Sequence, residues 1–371
     1  MLKNVKIENF RGFRSFELQQ LGRLNLLVGA NNSGKTSVLE AIQLLCSHNN
    51  LEPLRDVMIN RGEYFDNKRT DRQELDIRHL FYNHKIEPGS QFSVSGMNGT
   101  EKDEIVALVG VRPINQRFDP PIDTDVQLTF HDDGFVFDFT IEWIYGNKRE
   151  HWESPLSDDG GLLEEYLPRP RSIGISKRNE TKTQFVTSSA LTPERMIELF
   201  DQIVLTPEEK LVQESLQAIE PKIERIAPIS SEKYRRAESR AGFVVLLSDS
   251  EQRVPIGSMG DGLWRMLGLA LATAGSANGV LFVDEIDTGL HFSAMSDMWK
   301  LIWETAKRLN VQVFATTHSS DCWMSLASIA DQEGIPEDGI TIQRIEQGKE
   351  TSIAFSEREI VIAAQRGIEV R

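Results

Sequence analysis

The run Gly29-Ala30-Asn31-Asn32-Ser33-Gly34-Lys35-Thr36 constrains this chain more than any other stretch, because it fits G-x-x-x-x-G-K-[ST] without departure. Before it, Leu24, Leu26, Leu27 and Val28 make a short apolar strand. After it, Val38, Leu39, Ile42, Leu45 and Cys46 recur at helical spacing. Strand, glycine loop and helix are the context that turns the pattern into a phosphate site. Two glycines let the backbone curl so that its N–H groups converge on phosphate oxygens, and the helix start adds the positive end of its dipole. Gly29, Asn31, Asn32, Ser33, Gly34 and Ser37 are then candidate lining residues. Lys35 would reach the β- and γ-phosphates and the Thr36 hydroxyl would bind Mg²⁺. The alternative, a chance glycine turn before a buried helix, requires strand, loop, Lys-Thr pair and helix all to coincide.

A second element bears acids. Val280-Leu281-Phe282-Val283-Asp284-Glu285 is four apolar residues ending in two carboxylates. That describes a buried parallel strand delivering acids to the carboxyl edge of a sheet, where α/β sites lie. Asp284 would hold Mg²⁺, and Glu285 would polarise the water that attacks a γ-phosphate. Val311–Ser319 is another strand ending in polar residues, among them His318. Upstream, the Ser-Gly-rich loop Pro255–Gly262 feeds the nearly uncharged segment Leu263–Ala274, whose one charge is Arg265. Such a loop presents free N–H donors at a helix start, or is simply a turn and an N-cap. Gly-Ser-Met-Gly does not fit the hydrolase elbow G-x-S-x-G. Adjacent Ser319 and Asp321 cannot converge with His318 as a catalytic triad needs.

Composition sets outer limits. The 371 residues are 40% hydrophobic and 26% charged, ordinary for a globular protein with a sizeable core. The longest apolar run, Met266–Ala274, falls short of the ~18 residues that span a bilayer, so no membrane partner is expected. Lys3, Lys6 and Glu8 leave no secretory h-region. Two cysteines suit a reducing cytoplasm, and His79 and His84 do not have zinc spacing. A net charge of −15 argues against a broad nucleic-acid footprint, although a local basic patch remains open. The densest basic cluster, Lys233-Tyr234-Arg235-Arg236 with Arg240, reads as such a patch or as a solvated face.

With these motifs in order, the opening IENFRGFRSF followed by LNLLVGANNSGKTSVLEAI resembles the ATP-binding-cassette-type heads of the SMC, RecF and OLD (overcoming-lysogenization-defect) ATPases. The wording VDEIDTGLH and the ending GIEVR are most similar to the OLD-like, AAA-type group of prokaryotic defence systems. The resemblance implies ATP and Mg²⁺ as ligands and slow hydrolysis. It implies a role for Ser258, Gly260 and Gly262 as the signature motif, worded unlike LSGGQ, and for His318 as a γ-phosphate switch. Arg11 becomes a nucleotide contact, or else an exposed turn arginine; Gln73 becomes a candidate nucleotide-sensing glutamine. The active unit would be a homodimer in which one head caps the other's nucleotide with Ser258 and Gly260. Two roles follow from the resemblance: an ATPase switching a separate effector protein in an anti-phage or toxin-like system, or a RecF-like DNA-repair ATPase. A transporter ATPase subunit fits the opening less well.

The expected fold is a single α/β P-loop head over 1–371, its core drawn from about 1–50 and 240–371. Alternating Val5–Glu8 and Phe16–Leu18, turning at Arg11-Gly12, predict a hairpin leading into the P-loop strand. A β-rich lobe of short strands is expected over about 55–152, with a hairpin turn at Asp132-Asp133-Gly134. Ser154–Lys182 reads as a long connection. Thr192-Pro193 and Thr206-Pro207 start two helices of an insertion over about 191–240, without the heptads of a long coiled coil. After His318 one helix and a terminal hairpin are expected. The acids Asp331, Glu333, Glu337 and Asp338 read as a solvated loop rather than a two-metal site, so no nuclease activity is expected.

Overall fold

Leu24–Val28 is buried along its whole length, as a strand covered on both faces must be. In the computed structural model, which describes residues 1–67, 72–113, 135–157, 159–167, 182–189, 191–229, 242–331 and 339–371, it is an inner strand of a six-stranded sheet. The order is Thr183–Val186, Val280–Val283, Gln312–Thr316, Leu24–Val28, Ile340–Arg344, Ile353–Phe355. The first five are parallel and the last pairs antiparallel. This sheet belongs to a unit of Gln20–Lys35, Lys182–Glu346 and Ile353–Arg371, and the remainder of the chain forms a second unit.

The register of the parallel sheet is fixed by a polar group inside it. Asn25 is fully buried, and its amide donates to Gly22 O (2.9 Å) and Val313 O (3.1 Å). Its oxygen accepts from Gly22 N (2.8 Å) and the Thr341 hydroxyl (2.9 Å). Four bonds exhaust an asparagine amide. Helices Asp261–Gly275, Phe292–Leu309 and Ser320–Ala330 contribute Leu267, Met298, Trp299 and Trp323 to the unit's apolar core. The buried Trp299 indole donates to Cys322 O at 2.9 Å.

Thr192 caps the helix Pro193–Ile203 by accepting from Arg195 N, as the Thr-Pro-Glu pattern predicts. A second helix, Pro207–Ile219, follows. The helical stretch ends earlier than expected, because Ile223–Pro228 is a strand, paired with Phe243–Leu247 and through it with Arg253–Pro255. The basic cluster Lys233–Arg236 with Arg240 lies outside the described residues. After His318 the described residues hold two helices, not one. Beyond the paired strands Ile340–Arg344 and Ile353–Phe355, helix Glu357–Arg366 begins at a Ser356–Glu359 capping box and stops at Gly367 (φ +63°).

The other unit is built on a six-stranded antiparallel sheet, in the order Phe13–Leu18, Leu2–Phe10, Gln91–Asn98, Glu101–Pro113, Phe135–Tyr145, Lys148–Pro155. The opening hairpin forms as expected but pairs here rather than with the P-loop sheet: Leu2–Phe10 is hydrogen-bonded to Gln91–Asn98. Phe10, Phe81, Phe92 and Phe139 pack edge to face or tilted in its core. Within the expected β-rich stretch, Glu52–Asn60 is a helix with Pro53 in its first turn. Glu101–Pro113 is a long strand. Asp132-Asp133-Gly134 is outside the described residues, as are Glu333, Glu337 and Asp338.

Arg11 is not the exposed turn arginine of the sequence alternatives. It is 4% exposed, in the left-handed region (φ +53°), with its guanidinium between Glu63 (3.0 Å to Oε2) and Glu40 (2.8 Å). Arg61 reaches Glu40 from the other side at 2.6 Å and the Ser37 hydroxyl at 3.3 Å. Burial pushes the Glu40 carboxyl up, and the two arginines oppose it. Removing one partner of a buried ion group strands the others. Arg11→Met should therefore lower unfolding free energy by about 3–5 kcal/mol in the absence of nucleotide, measured by urea denaturation. A loss below about 1 kcal/mol, the scale of a surface ion pair, would show that the cluster carries little weight.

Candidate nucleotide site

Gly29 leaves the central strand at φ +145°, and an added Cβ would sit 2.3 Å from Ile345 O. Only glycine can make this exit. Asn32 (φ +60°) and Gly34 (φ +95°) continue the curl, with Asn31 and Asn32 exposed. Ser33 is buried, and its hydroxyl has no hydrogen-bond partner among the described residues. Lys35 begins the helix Lys35–Cys46 and folds back over the loop, donating to Gly29 O (2.9 Å) and Ala30 O (2.8 Å). An ammonium has three donors, so this geometry uses two. Burial pushes Lys35 below the ordinary lysine range, while Asp284 and Glu285 pull it back. Thr36 and Ser37 follow in the first helical turn, half-buried.

Val280–Val283 runs parallel to Gln312–Thr316, which runs parallel to Leu24–Val28, so the three strand ends emerge side by side. Asp284 accepts from the Thr316 hydroxyl at 2.6 Å, and Glu285 N donates to the same hydroxyl at 2.8 Å. Glu285 is held at φ +47°, a strained region for a non-glycine residue that costs on the order of 1–3 kcal/mol. Its carboxylate lies 3.8 Å from His318 Nδ1; both side chains are partly exposed. The structure thus gathers Lys35, Asp284, Glu285 and His318 at one edge of the sheet. The arrangement offers backbone donors, an ammonium, two carboxylates and an imidazole around one space, a set suited to phosphate and a divalent cation.

Ser258 and Gly260 stand on the short loop before helix Asp261–Gly275, and both are exposed. No bond joins them to the P-loop or the acids among the described residues. Gly260 has φ +97°, a conformation that only glycine adopts freely. Gln73 is exposed on the short strand Arg72–Asp76.

Two residues of this edge were not legible as functional. Thr316 reads as one more strand residue. Arg265 reads as a stray charge on an apolar helix, yet it is 3% exposed and donates to Thr187 O (2.8 Å), Asp284 O (3.3 Å) and Glu285 O (3.1 Å). Burial pushes its guanidinium down to about 10, against the pull of Asp287, Asp284 and Glu285. One charge in the twelve-residue stretch Leu263–Ala274 is the available signal.

Residues 24–321 match the family described as "AAA domain, putative AbiEii toxin, Type IV TA system". The chain belongs to this family. An ATP/GTP phosphatase of Helicobacter pylori is 23% identical over 342 residues, covering 86% of each chain. A DNA replication and repair protein RecF of Salinibacter ruber is 29% identical over 120 residues, 31% of this chain and 28% of the relative. An SMC head bound to the C-winged-helix domain of ScpA aligns over 96% of this chain and 97% of that one, with a TM-score of 0.47 and 14% identity. This is an ATPase of ATP-binding-cassette type, in the SMC/RecF clan. Among the described residues, no helix of the ATPase is long and apolar enough to cross a membrane.

Two variants test the loop. Gly29→Ala places a methyl against Ile345 O and should abolish nucleotide binding even where the protein still folds. Lys35→Ala removes a charge-assisted phosphate contact and should weaken binding of a fluorescent ATP analogue by about tenfold or more. Unchanged affinity in the second would show that the phosphates lie elsewhere.

Proposed function

We propose that this ATPase binds ATP with Mg²⁺, closes as a homodimer around two nucleotides, and uses that closure to switch a separate effector protein. The observation that carries the reading is the gathering of Lys35, Asp284, Glu285 and His318 beyond the strand ends, beside a complete glycine loop. In this reading Gly29, Asn31, Asn32, Ser33, Gly34, Lys35 and Ser37 cradle the phosphates, and Thr36 and Asp284 hold Mg²⁺. Glu285 polarises the attacking water, and His318 meets the γ-phosphate. Ser258 and Gly260 are exposed and unbonded to this set, which supports their serving a facing copy rather than their own chain. The ion-paired guanidinium of Arg11 favours a structural role over nucleotide contact.

The family description names a toxin–antitoxin system, which supports a toxin-like or anti-phage role with a partner effector. RecF relatives favour a second reading, DNA repair. A gel shift on gapped DNA separates the two: tight, ATP-dependent binding belongs to repair alone. The net charge of −15 favours the effector reading.

Glu285→Gln should keep nucleotide binding and slow hydrolysis by about 10²–10⁴-fold, the scale of a general base. ATP should then trap a species of doubled mass. Hydrolysis at the wild-type rate would remove Glu285 from this role. Composite sites have their own test. Ser258→Arg and Lys35→Ala subunits, inactive alone, should recover activity when mixed, because one interface then carries both defects and the other neither. No recovery would mean that each head works by itself.

A further inference from the structure

Glu285 has an exposed carboxylate, and side-chain packing does not aim it. Its nearest side-chain partners are distant, His318 at 3.8 Å and the Thr288 hydroxyl at 3.4 Å. Its direction is therefore set by its backbone. That backbone sits at φ +47°, where a residue with a Cβ does not stay without restraint. The restraint is visible on both sides of the residue. On the amide side, Glu285 N donates to the Thr316 hydroxyl, whose own proton goes to Asp284. On the carbonyl side, Arg265 donates to Glu285 O and Asp284 O, and its other amino group is anchored on Thr187 O.

Both restraining groups are buried, Thr316 at 0% and Arg265 at 3% exposure, so water does not compete for these bonds. Arg265 makes no ion pair among the described residues, and its Nε has no hydrogen-bond partner there. A guanidinium so placed spends its donors on main-chain carbonyls of the acidic turn. In Leu263–Ala274, the otherwise uncharged stretch of helix Asp261–Gly275, packing alone would have been served better by leucine or methionine.

We infer that Arg265 and Thr316 are positioning residues that clamp the Asp284–Glu285 turn in its left-handed conformation and thereby aim the Glu285 carboxylate for ATP hydrolysis. The inference rests on Glu285 being the group that polarises the attacking water. Arg265 touches neither nucleotide nor water; it acts on the backbone of a residue that does.

The test compares Arg265→Met, Arg265→Lys, Thr316→Val and Thr316→Ser, measuring kcat, affinity for a fluorescent ATP analogue, and melting temperature. Arg265→Met and Thr316→Val should each lower kcat by about 10²-fold, the cost of misplacing a reacting group by an ångström, with analogue affinity within about twofold of wild type. Thr316→Ser, which keeps the hydroxyl, should restore most of the rate. Arg265→Lys, which cannot span three carbonyls, should not. Should Arg265→Met fail to fold, the isosteric Thr316→Val carries the test alone. Equal kcat in Thr316→Val and wild type overturns the clamp, as does a parallel loss of affinity and kcat.

A double-mutant cycle separates this inference from the one beneath it. In a Glu285→Gln background, measured by single turnover, Arg265→Lys and Thr316→Val should cost no further rate, because the carboxylate they aim is gone. Full additivity would mean that both act independently of Glu285. A wild-type rate in Glu285→Gln itself would instead remove Glu285 from the chemistry and leave nothing to aim.

Discussion

A single buried amide sets the level at which everything else in the nucleotide unit works. Asn25 reaches two groups of Gly22, just before its own strand, one carbonyl of the strand Gln312–Thr316 through Val313, and one hydroxyl of Ile340–Arg344 through Thr341. In a parallel sheet buried on both faces, apolar side chains alone discriminate poorly between registers, since either face accepts them. A slip of one residue would shift a strand end by about 3.3 Å, more than a hydrogen bond's length. It would also leave buried amide or hydroxyl groups unpaired, at roughly 1–3 kcal/mol each. The register so fixed places Thr316 opposite Leu27, two residues before Gly29, and Val283 opposite Ala315. The hydroxyl that meets Asp284 consequently lies two residues short of the glycine that opens the loop.

The parts of this molecule legible in the sequence are those where local pattern and tertiary role agree. Gly29–Thr36 can be read because its glycines, lysine and threonine are each demanded by backbone geometry or by phosphate chemistry. Val280–Glu285 is similarly legible, since four apolar residues followed by acids fit few other structures. Thr192-Pro193 is a cap by local stereochemistry alone. What escaped was decided over long distances. The strand Thr183–Val186 is only four residues, and its parallel partner lies about a hundred residues away. The opening hairpin gives the same alternation whichever sheet receives it, so its pairing with Gln91–Asn98 leaves no local trace. Helix Glu52–Asn60 lacks a side-chain cap, although Pro53 in its first turn was a signal. Ser356 and Glu359 were a second such signal, for the helix after the terminal strands.

Charge illustrates the same division. The sequence shows how many acids exceed bases, which bears on partners, but not which charges are withdrawn from solvent. Arg11, Glu40 and Arg265 are each under a twentieth exposed. Arg11 and Glu40 neutralise one another, with Glu63 and Arg61 completing the group. Such a cluster is neutral toward its surroundings and costs its desolvation mainly to fix geometry. Arg265 differs. Its compensation comes from carbonyl dipoles and from carboxylates it does not touch, so its guanidinium falls to about 10 rather than rising as a paired arginine does. A buried cation held this way is sensitive to the placement of Asp284, Glu285 and Asp287, and they to it.

The departures from locally preferred structure then have a common direction. Ser33 keeps a buried hydroxyl without a partner among the described residues, Lys35 folds its ammonium onto its own loop, Glu285 stands in the left-handed region, and Arg265 buries a charge. Each costs on the order of 1–3 kcal/mol or more, against a net folding stability of about 5–15 kcal/mol for a typical domain. The core beneath them is mostly apolar: Trp299 and the aliphatic strands are buried, and the Trp299 indole is paired with Cys322 O, although the buried Trp303 indole N–H has no partner among the described residues. Asn310 is left-handed too, but as a helix cap, where asparagine is tolerated at little cost. Such departures are not confined to this edge, since Leu205 (φ +61°) and His48 (φ +49°) are left-handed too, but here they stand beyond the ends of three adjacent buried strands, which serve as a rigid mount.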